Sequence, residues 1–135
     1  MKAAARVLDS YSLIAFFEAE SGAKTMVEVF RAARDSDEPL LLSVVNWGEV
    51  YYITLREAGP DRAEEVATAI SSLPIDIVPA DLALTQEAAR LKARGRIAYA
   101  DCFAAALAKT RNAELVTGDP EFKQVADIVK IHWID

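Results

Sequence analysis

Four acidic residues, Asp9, Glu49, Asp101 and Asp119, are each read as standing where an apolar strand gives way to a helix. In an open parallel sheet, ligands bind outside the carboxyl ends of the strands, where the strand order reverses. Carboxylates gathered at that edge repel one another and stay ionised at neutral pH only if a cation joins them. Magnesium and manganese are the natural candidates, because hard divalent ions take oxygen ligands. The chemistry this pattern predicts is metal-assisted reaction at a phosphodiester.

The elements that must position these acids follow from the order of apolar runs and breakers. Arg6-Val7-Leu8, starting near Ala4, reads as a short buried strand that ends at Asp9. A helix is predicted over Tyr11 to Phe17, a break at Ser21-Gly22, a second helix to about Ala33, and a polar loop from Asp35 to Pro39. Leu40 to Val44 is the second strand. Asn46 is predicted to cap a helix whose apolar stripe is Trp47, Val50, Tyr51, Thr54 and Leu55. Ala58-Gly59-Pro60-Asp61 ends it, and another helix runs to Ile70. Ile75 to Val78 stops at Pro79 and suits an edge strand.

Asp81 then opens a helix with Leu84, Ala88 and Leu91 on one face, and Arg94-Gly95-Arg96 turns the chain. An alanine-rich helix covers Ala100 to Lys109, and Glu114 to Thr117 is a strand. Gly118-Asp119-Pro120 leads into a short helix, and Asp127 to His132 supplies the last strand. Strands separated by helices predict one α/β domain over residues 1–135. It has three α/β/α layers around a central parallel sheet of about five strands, with right-handed crossovers.

Composition narrows the function. A hydrophobic share of 53% in 135 residues supports a sizeable core. The longest apolar run, Leu40 to Val45, is interrupted by Ser43 and is far too short to cross a bilayer. Arg6 breaks any hydrophobic region after Lys2, which argues against a secretory signal. Cys102 is the one cysteine and His132 the one histidine. This excludes an internal disulfide and a Cys/His zinc site, and it suits a cytoplasmic setting. The net charge of −6 argues against general nucleic-acid binding, unless several acids belong to a metal site whose ions reverse the local field. An acidic surface also suits a basic protein partner.

Each acid has a structural explanation as well. Asp9 and Asp119 can cap helices, the latter before a proline at the first helical position. Asn46-Trp47-Gly48-Glu49 has the spacing of a capping box. Asp101 suits the first turn of a helix through the dipole. Capping does not require acids, however, so their recurrence at one edge of a parallel sheet favours a shared site. Asp35, Asp37, Glu64 and Glu65 sit on loops or solvated faces. Arg90, Lys92, Arg94 and Arg96 fit either phosphate contacts or a solvated helix end. Trp47, Tyr51 and Tyr52 could stack on bases, though Trp47 and Tyr51 fall on the apolar stripe and suit the core or a dimer interface. Cys102 reads as a small buried residue, and His132 as a buried structural one.

Four segments carry a resemblance over nearly the whole chain. They are Val7-Leu8-Asp9-Ser10, Val45-Asn46-Trp47-Gly48-Glu49-Val50-Tyr51-Tyr52, Tyr99-Ala100-Asp101-Cys102-Phe103-Ala104-Ala105-Ala106-Leu107-Ala108, and Leu115-Val116-Thr117-Gly118-Asp119-Pro120-Glu121-Phe122. Together they resemble the PIN-domain nucleases, and among these the ribonuclease toxins of bacterial VapBC toxin–antitoxin pairs. The resemblance implies a magnesium-dependent endoribonuclease, with manganese as an alternative ion and Asp9, Glu49, Asp101 and Asp119 as the acidic site. It implies Ser10 and Thr117 beside that site, with Asn46 either there or in a helix cap. A homodimer and a cognate basic antitoxin are further implications.

On this reading Asp9 and Asp101 are the most direct metal ligands. Glu49 and Asp119 complete the site, and Glu49 also suits orienting the water. Rival readings are a phosphate-handling or phospho-acceptor domain, a non-catalytic binding module, and a nuclease of RNA processing or of DNA. The first wants a paired acid after the first strand, whereas Asp9 is followed by Ser10, Tyr11 and Ser12.

Overall fold

The computed structural model describes residues 5–135. The start of the first strand near Ala4 therefore lies outside the described residues. The elements, in order, are β1 (Arg6–Leu8), α1 (Ser10–Phe17), α2 (Ala23–Ser36), β2 (Leu40–Ser43), α3 (Val44–Ala58), α4 (Pro60–Ser72) and β3 (Ile75–Val78). There follow α5 (Leu82–Arg94), α6 (Tyr99–Thr110), β4 (Glu114–Thr117), a 3₁₀ segment (Pro120–Val125) and β5 (Ile131–Trp133).

All strand pairs are parallel, in the order β3-β2-β1-β4-β5. The chain therefore builds outward from β1 to β3, then returns to the other side of β1 to place β4 and β5. Strand order reverses between β1 and β4, and the crevice of such a sheet opens at their carboxyl ends. Asp9 follows β1 there, and Gly118-Asp119 follows β4.

The pleat distributes each strand between two cores. Val7, Leu41 and Leu115 pack with α5, α6 and the 3₁₀ segment. Leu8, Leu42 and Val116 pack with residues of α1 to α4. This is the expected three-layer arrangement, with alternate residues serving opposite faces. Helix α6 lies deepest: every residue from Asp101 to Ala108 is buried. Ala104, Ala105, Ala106 and Ala108 allow that close approach, because larger side chains would hold the helix away from the sheet.

Several boundaries differ from the sequence expectation. Helix α2 continues to Ser36 and stops where Asp37 takes a left-handed conformation at φ 55°. The last strand starts at Ile131 rather than Asp127, since the chain is still turning through residues 126–129. Leu55, on the expected apolar stripe of α3, is exposed, while Val50 and Thr54 are buried. The largest difference is at the start of α3. Ser43 caps it, its Oγ accepting the Val45 N–H at 3.2 Å. Asn46 thus lies inside the first turn and does not cap, and Asn46–Glu49 is not a capping box.

Candidate functional site

Asp9 is the best-held acid. As the cap of α1 it accepts the Ser12 N–H on Oδ1 at 2.8 Å, and Thr117 Oγ1 donates to its Oδ2. Thr117 also accepts the Asp119 N–H on the same Oγ1 at 3.0 Å. One threonine hydroxyl therefore links the ends of β1 and β4 across the switch point. Asp9 is 1% exposed. Burial pushes its carboxyl up to about 6, against the lowering effect of the Thr117 and Ser12 hydrogen bonds; the charge of Asp119 adds to the rise.

Asp119 caps the 3₁₀ segment, accepting the Glu121 N–H at 3.0 Å, with Pro120 at the first position as its sequence suggests. Asp101 and Glu49 reach the site differently from expectation. Asp101 follows the loop between α5 and α6, not a strand, and sits in the first turn of α6. That loop is tied on three sides. Lys92 Nζ donates to the Ile97 carbonyl at 2.9 Å, Gln124 Oε1 accepts the Arg96 N–H at 3.3 Å, and Arg94 pairs with Asp127 at 3.1 Å. Glu49 lies in the second turn of α3. Asn46 Nδ2 donates to both Glu49 Oε1 and the Ala100 carbonyl at 3.0 Å, joining α3 to the start of α6. Ser10, the first residue of α1, is buried beside Asp9.

The tightest grouping is a trio. Oxygens of Asp101, Asp119 and Glu121 lie within 4.8 Å of one another, and Asp9 and Glu49 stand outside that trio. Asp101 feels all of them. Burial comes first, then the charges of Glu49, Asp119, Asp9 and Glu121, and together they push its carboxyl up to about 8. Among the described residues none of the five acids is ion-paired with a lysine, arginine or histidine. Glu121 was missed from the sequence, where it looks like one more first-turn acid. The available signal was its spacing two residues past Asp119, which a tight 3₁₀ turn folds onto one side.

The donor set fits a hard divalent cation. It is all oxygen, the neighbouring carboxylates add to the rise of Asp101 and the charge of Asp119 to that of Asp9, and among the described residues no lysine, arginine or histidine is paired with it. Asn46 Oδ1 is the one buried side-chain polar atom without a hydrogen-bond partner among the described residues, and it lies on the residue that links Glu49 to α6.

Other candidates fall to structural roles. Arg90 pairs with Glu87, while Lys92 and Arg94 hold the α5–α6 loop. Trp47 packs against the core and stacks on Tyr51 at 5.3 Å, the Tyr51 hydroxyl donates to Glu64 at the surface, and Tyr52 is exposed with Arg56 over its ring. Cys102 is fully buried, and burial pushes its thiol pKa up, away from reactivity. His132 is only half-buried, contrary to expectation, and stands 3.6 Å from Glu114 at the far end of β4.

The PIN domain family pattern matches residues 6–128. No curated protein sequence matches significantly. Among solved structures, a DNA-bound VapBC from Salmonella typhimurium is similar at TM-score 0.75 and 16% identity, over 98% of this chain and 100% of that one. A toxin–antitoxin complex from Klebsiella pneumoniae is similar at 0.74 and 19%, over 97% and 98%. VapC20 of Mycobacterium tuberculosis, a Sarcin-Ricin loop cleaving toxin, is similar at 0.73 and 15%, over 93% and 98%. No helix among the described residues is long and apolar enough to cross a membrane.

Proposed function

We propose that this chain, which belongs to the PIN domain family, is a magnesium-dependent endoribonuclease and the toxin of a toxin–antitoxin pair. One observation carries the reading: acidic side chains from the end of β1, from α3, from α6 and from the turn after β4 lie around Asp101, and among the described residues no protein cation is paired with them. The likeness to VapBC complexes and to an RNA-cleaving toxin supports the same choice of substrate and partner.

Asp9, Glu49, Asp101 and Asp119 would hold the metal, and Glu121 adds a fifth carboxylate next to Asp101 and Asp119. When bound, a divalent ion there neutralises phosphate charge and lowers the pKa of a water. The chain's own residues supply positioning. Thr117 and the Ser12 N–H fix both oxygens of Asp9. Asn46 occupies Oε1 of Glu49 and leaves Oε2 to orient the attacking water. The tied α5–α6 loop keeps Asp101 at the mouth of the crevice.

The net charge of −6 makes a basic partner the complement of this surface. An antitoxin arginine can pair with carboxylates of the site and compete with metal. A homodimer completes the proposal. The deciding experiment incubates wild type and Asp101→Asn with RNA and with DNA oligonucleotides, in magnesium and in EDTA. Magnesium-dependent RNA cleavage by the wild type alone supports the reading. Cleavage that survives EDTA or the substitution refutes it, and cleavage of DNA in place of RNA removes the substrate assignment.

A further inference from the structure

The residues after β5 run on beside the acid site without belonging to it. Ile134 donates its backbone N–H to the Thr117 carbonyl at 3.1 Å, so the chain stays against β4 beyond Trp133. Asp135 then lies over Gly118. A Cβ built on Gly118 would stand 2.5 Å from Asp135 Oδ2 and 2.5 Å from Tyr11 Cε1. Those atoms belong to a bonded pair, because Tyr11 Oη donates to Asp135 Oδ2 at 2.7 Å. Ser21 Oγ donates to Oδ1 of the same carboxylate at 2.7 Å. On the other flank Gly22, at φ 92°, faces Ile134, whose Cδ1 would be 2.8 Å from an added Cβ.

One carboxylate therefore joins the first turn of α1, the α1–α2 turn and the turn that carries Asp119. Gly118 is needed here for space and not for its backbone freedom. Both hydrogen bonds are exposed and separated from their partners by more than a hundred residues, so their contribution to overall stability is small. Their mechanical effect is local. The Tyr11 ring and the Asp135 carboxylate bear on the residue immediately before Asp119. Asp119 is otherwise held through its N–H to Thr117 and its cap onto Glu121. The charge of Asp119 also reaches the Tyr11 hydroxyl, after the larger effect of Asp135.

We propose that Tyr11 and Asp135 form a clamp that fixes Gly118 and thereby places Asp119, which makes both of them positioning residues for the acid site. The proposal rests on reading that site as a metal-dependent one. The test compares the full chain with Asp135→Ala, Asp135→Asn and Tyr11→Phe. It measures manganese affinity by calorimetry, kcat and KM on an oligoribonucleotide, and the amide resonances of Gly118 and Asp119 in metal-free protein.

Asp135→Ala is expected to weaken manganese binding and lower kcat about tenfold with KM little changed, the scale of lost outer-shell support. Its Gly118 and Asp119 resonances should shift or broaden while those of β1 and β2 stay in place. Tyr11→Phe keeps the ring against Gly118 and should show a smaller effect in the same direction. Asp135→Asn keeps one acceptor oxygen and should recover part of the loss. Unmoved Gly118 and Asp119 resonances in Asp135→Ala overturn the clamp. So does a lower melting temperature with metal affinity and kcat intact. If the wild type binds no manganese and cuts no RNA, the functional reading fails, and the resonances alone then decide the clamp.

Discussion

Strand β4 carries an acid environment at each end, and the two are opposites. At its amino end Glu114 faces basic side chains: Arg6 at 3.2 Å, Lys130 at 3.4 Å and His132 at 3.6 Å. Burial raises its carboxyl, but the Lys130 hydrogen bond and the charges of Arg6, Lys130 and His132 outweigh it, and the net shift is downward. At the carboxyl end Thr117 leads into five acids with no basic partner, and Asp101 is pushed far up. The same sheet thus gives one half-buried carboxylate its counter-charges and leaves a group of them without any among the described residues. A fold that needed these acids only for helix caps had serine, threonine and asparagine available at equal or better stability. The unsatisfied end is where a ligand has something to contribute.

The largest effect that tests this contrast is Asp101→Asn. Cleavage should fall by more than the roughly 100-fold that loss of an outer-shell partner costs. The metal-free protein should melt at about the same temperature near neutral pH, where Asp101 still holds its proton, and at a higher one above about pH 8, where a repelling, desolvated charge is gone. Cleavage assays and melts in EDTA measure both. A destabilised, inactive variant would mean that Asp101 was structural after all. Thr117→Val comes next. It removes the donor to Asp9 and the acceptor for the Asp119 N–H without changing the side chain's shape much, and a loss of about 10- to 100-fold in cleavage is expected. Activity within twofold of wild type would detach Thr117 from the site.

The parallel sheet and the helices on both its faces were legible in the sequence, because period and punctuation are local properties. The start of α3 was not legible. Val44 and Val45 are β-branched and extend the apolar run of β2, so the polar residue that follows, Asn46, looked like the cap. The cap is Ser43, whose hydroxyl serves strand end and helix start at once. Freed from capping, Asn46 bridges Glu49 and Ala100, a contact spanning 54 residues that no local pattern encodes. Glu121 was hidden for a related reason, since only the 3₁₀ turn brings it beside Asp119. Asp101 was singled out by its flanking residues, although it follows the α5–α6 loop and not the strand that was expected. The three ties on the α5–α6 loop are long-range and have no sequence period. Those same ties engage Lys92 and Arg94, two exposed basic residues of this stretch, within the fold.

Acid titration offers a graded version of the contrast. Asp9 and Asp101 titrate at about 6 and about 8 in the fold, against 3.8 for a free aspartate. The folded state therefore holds protons that the unfolded chain has already released. Their contribution to metal-free stability is complete below the unfolded value and is lost as pH rises through the folded ones. Glu114 works in the opposite sense. Its folded pKa lies below the ordinary 4.5, so its contribution is present above that value and is lost as pH falls through the folded one. Melting temperatures in EDTA should therefore decline between about pH 5 and about pH 8, and divalent ions should flatten the decline. A curve that is level in EDTA over that range would remove the repulsion from the argument.

The smallest expected effect belongs to the satisfied end. Glu114→Gln keeps the length of the side chain and one oxygen that can accept from Arg6, and it removes the charge that Arg6, Lys130 and His132 face. Arg6 and His132 are about 30% exposed and Lys130 is 81% exposed. Water can therefore solvate all three once the carboxylate is gone, and the loss stays far below that of a sealed ion pair. A destabilisation of about 1 kcal/mol is expected, which lowers the melting temperature of a domain this size by about 4 °C. Salt should reduce the difference between variant and wild type, since at 1 M the screening length shrinks to about 3 Å. RNA cleavage should be unchanged, because Glu114 stands at the opposite end of β4 from Thr117. If Glu114→Gln lowered cleavage as Thr117→Val does, the two ends of the strand would be coupled. The division between a structural edge and a reactive edge would then be lost.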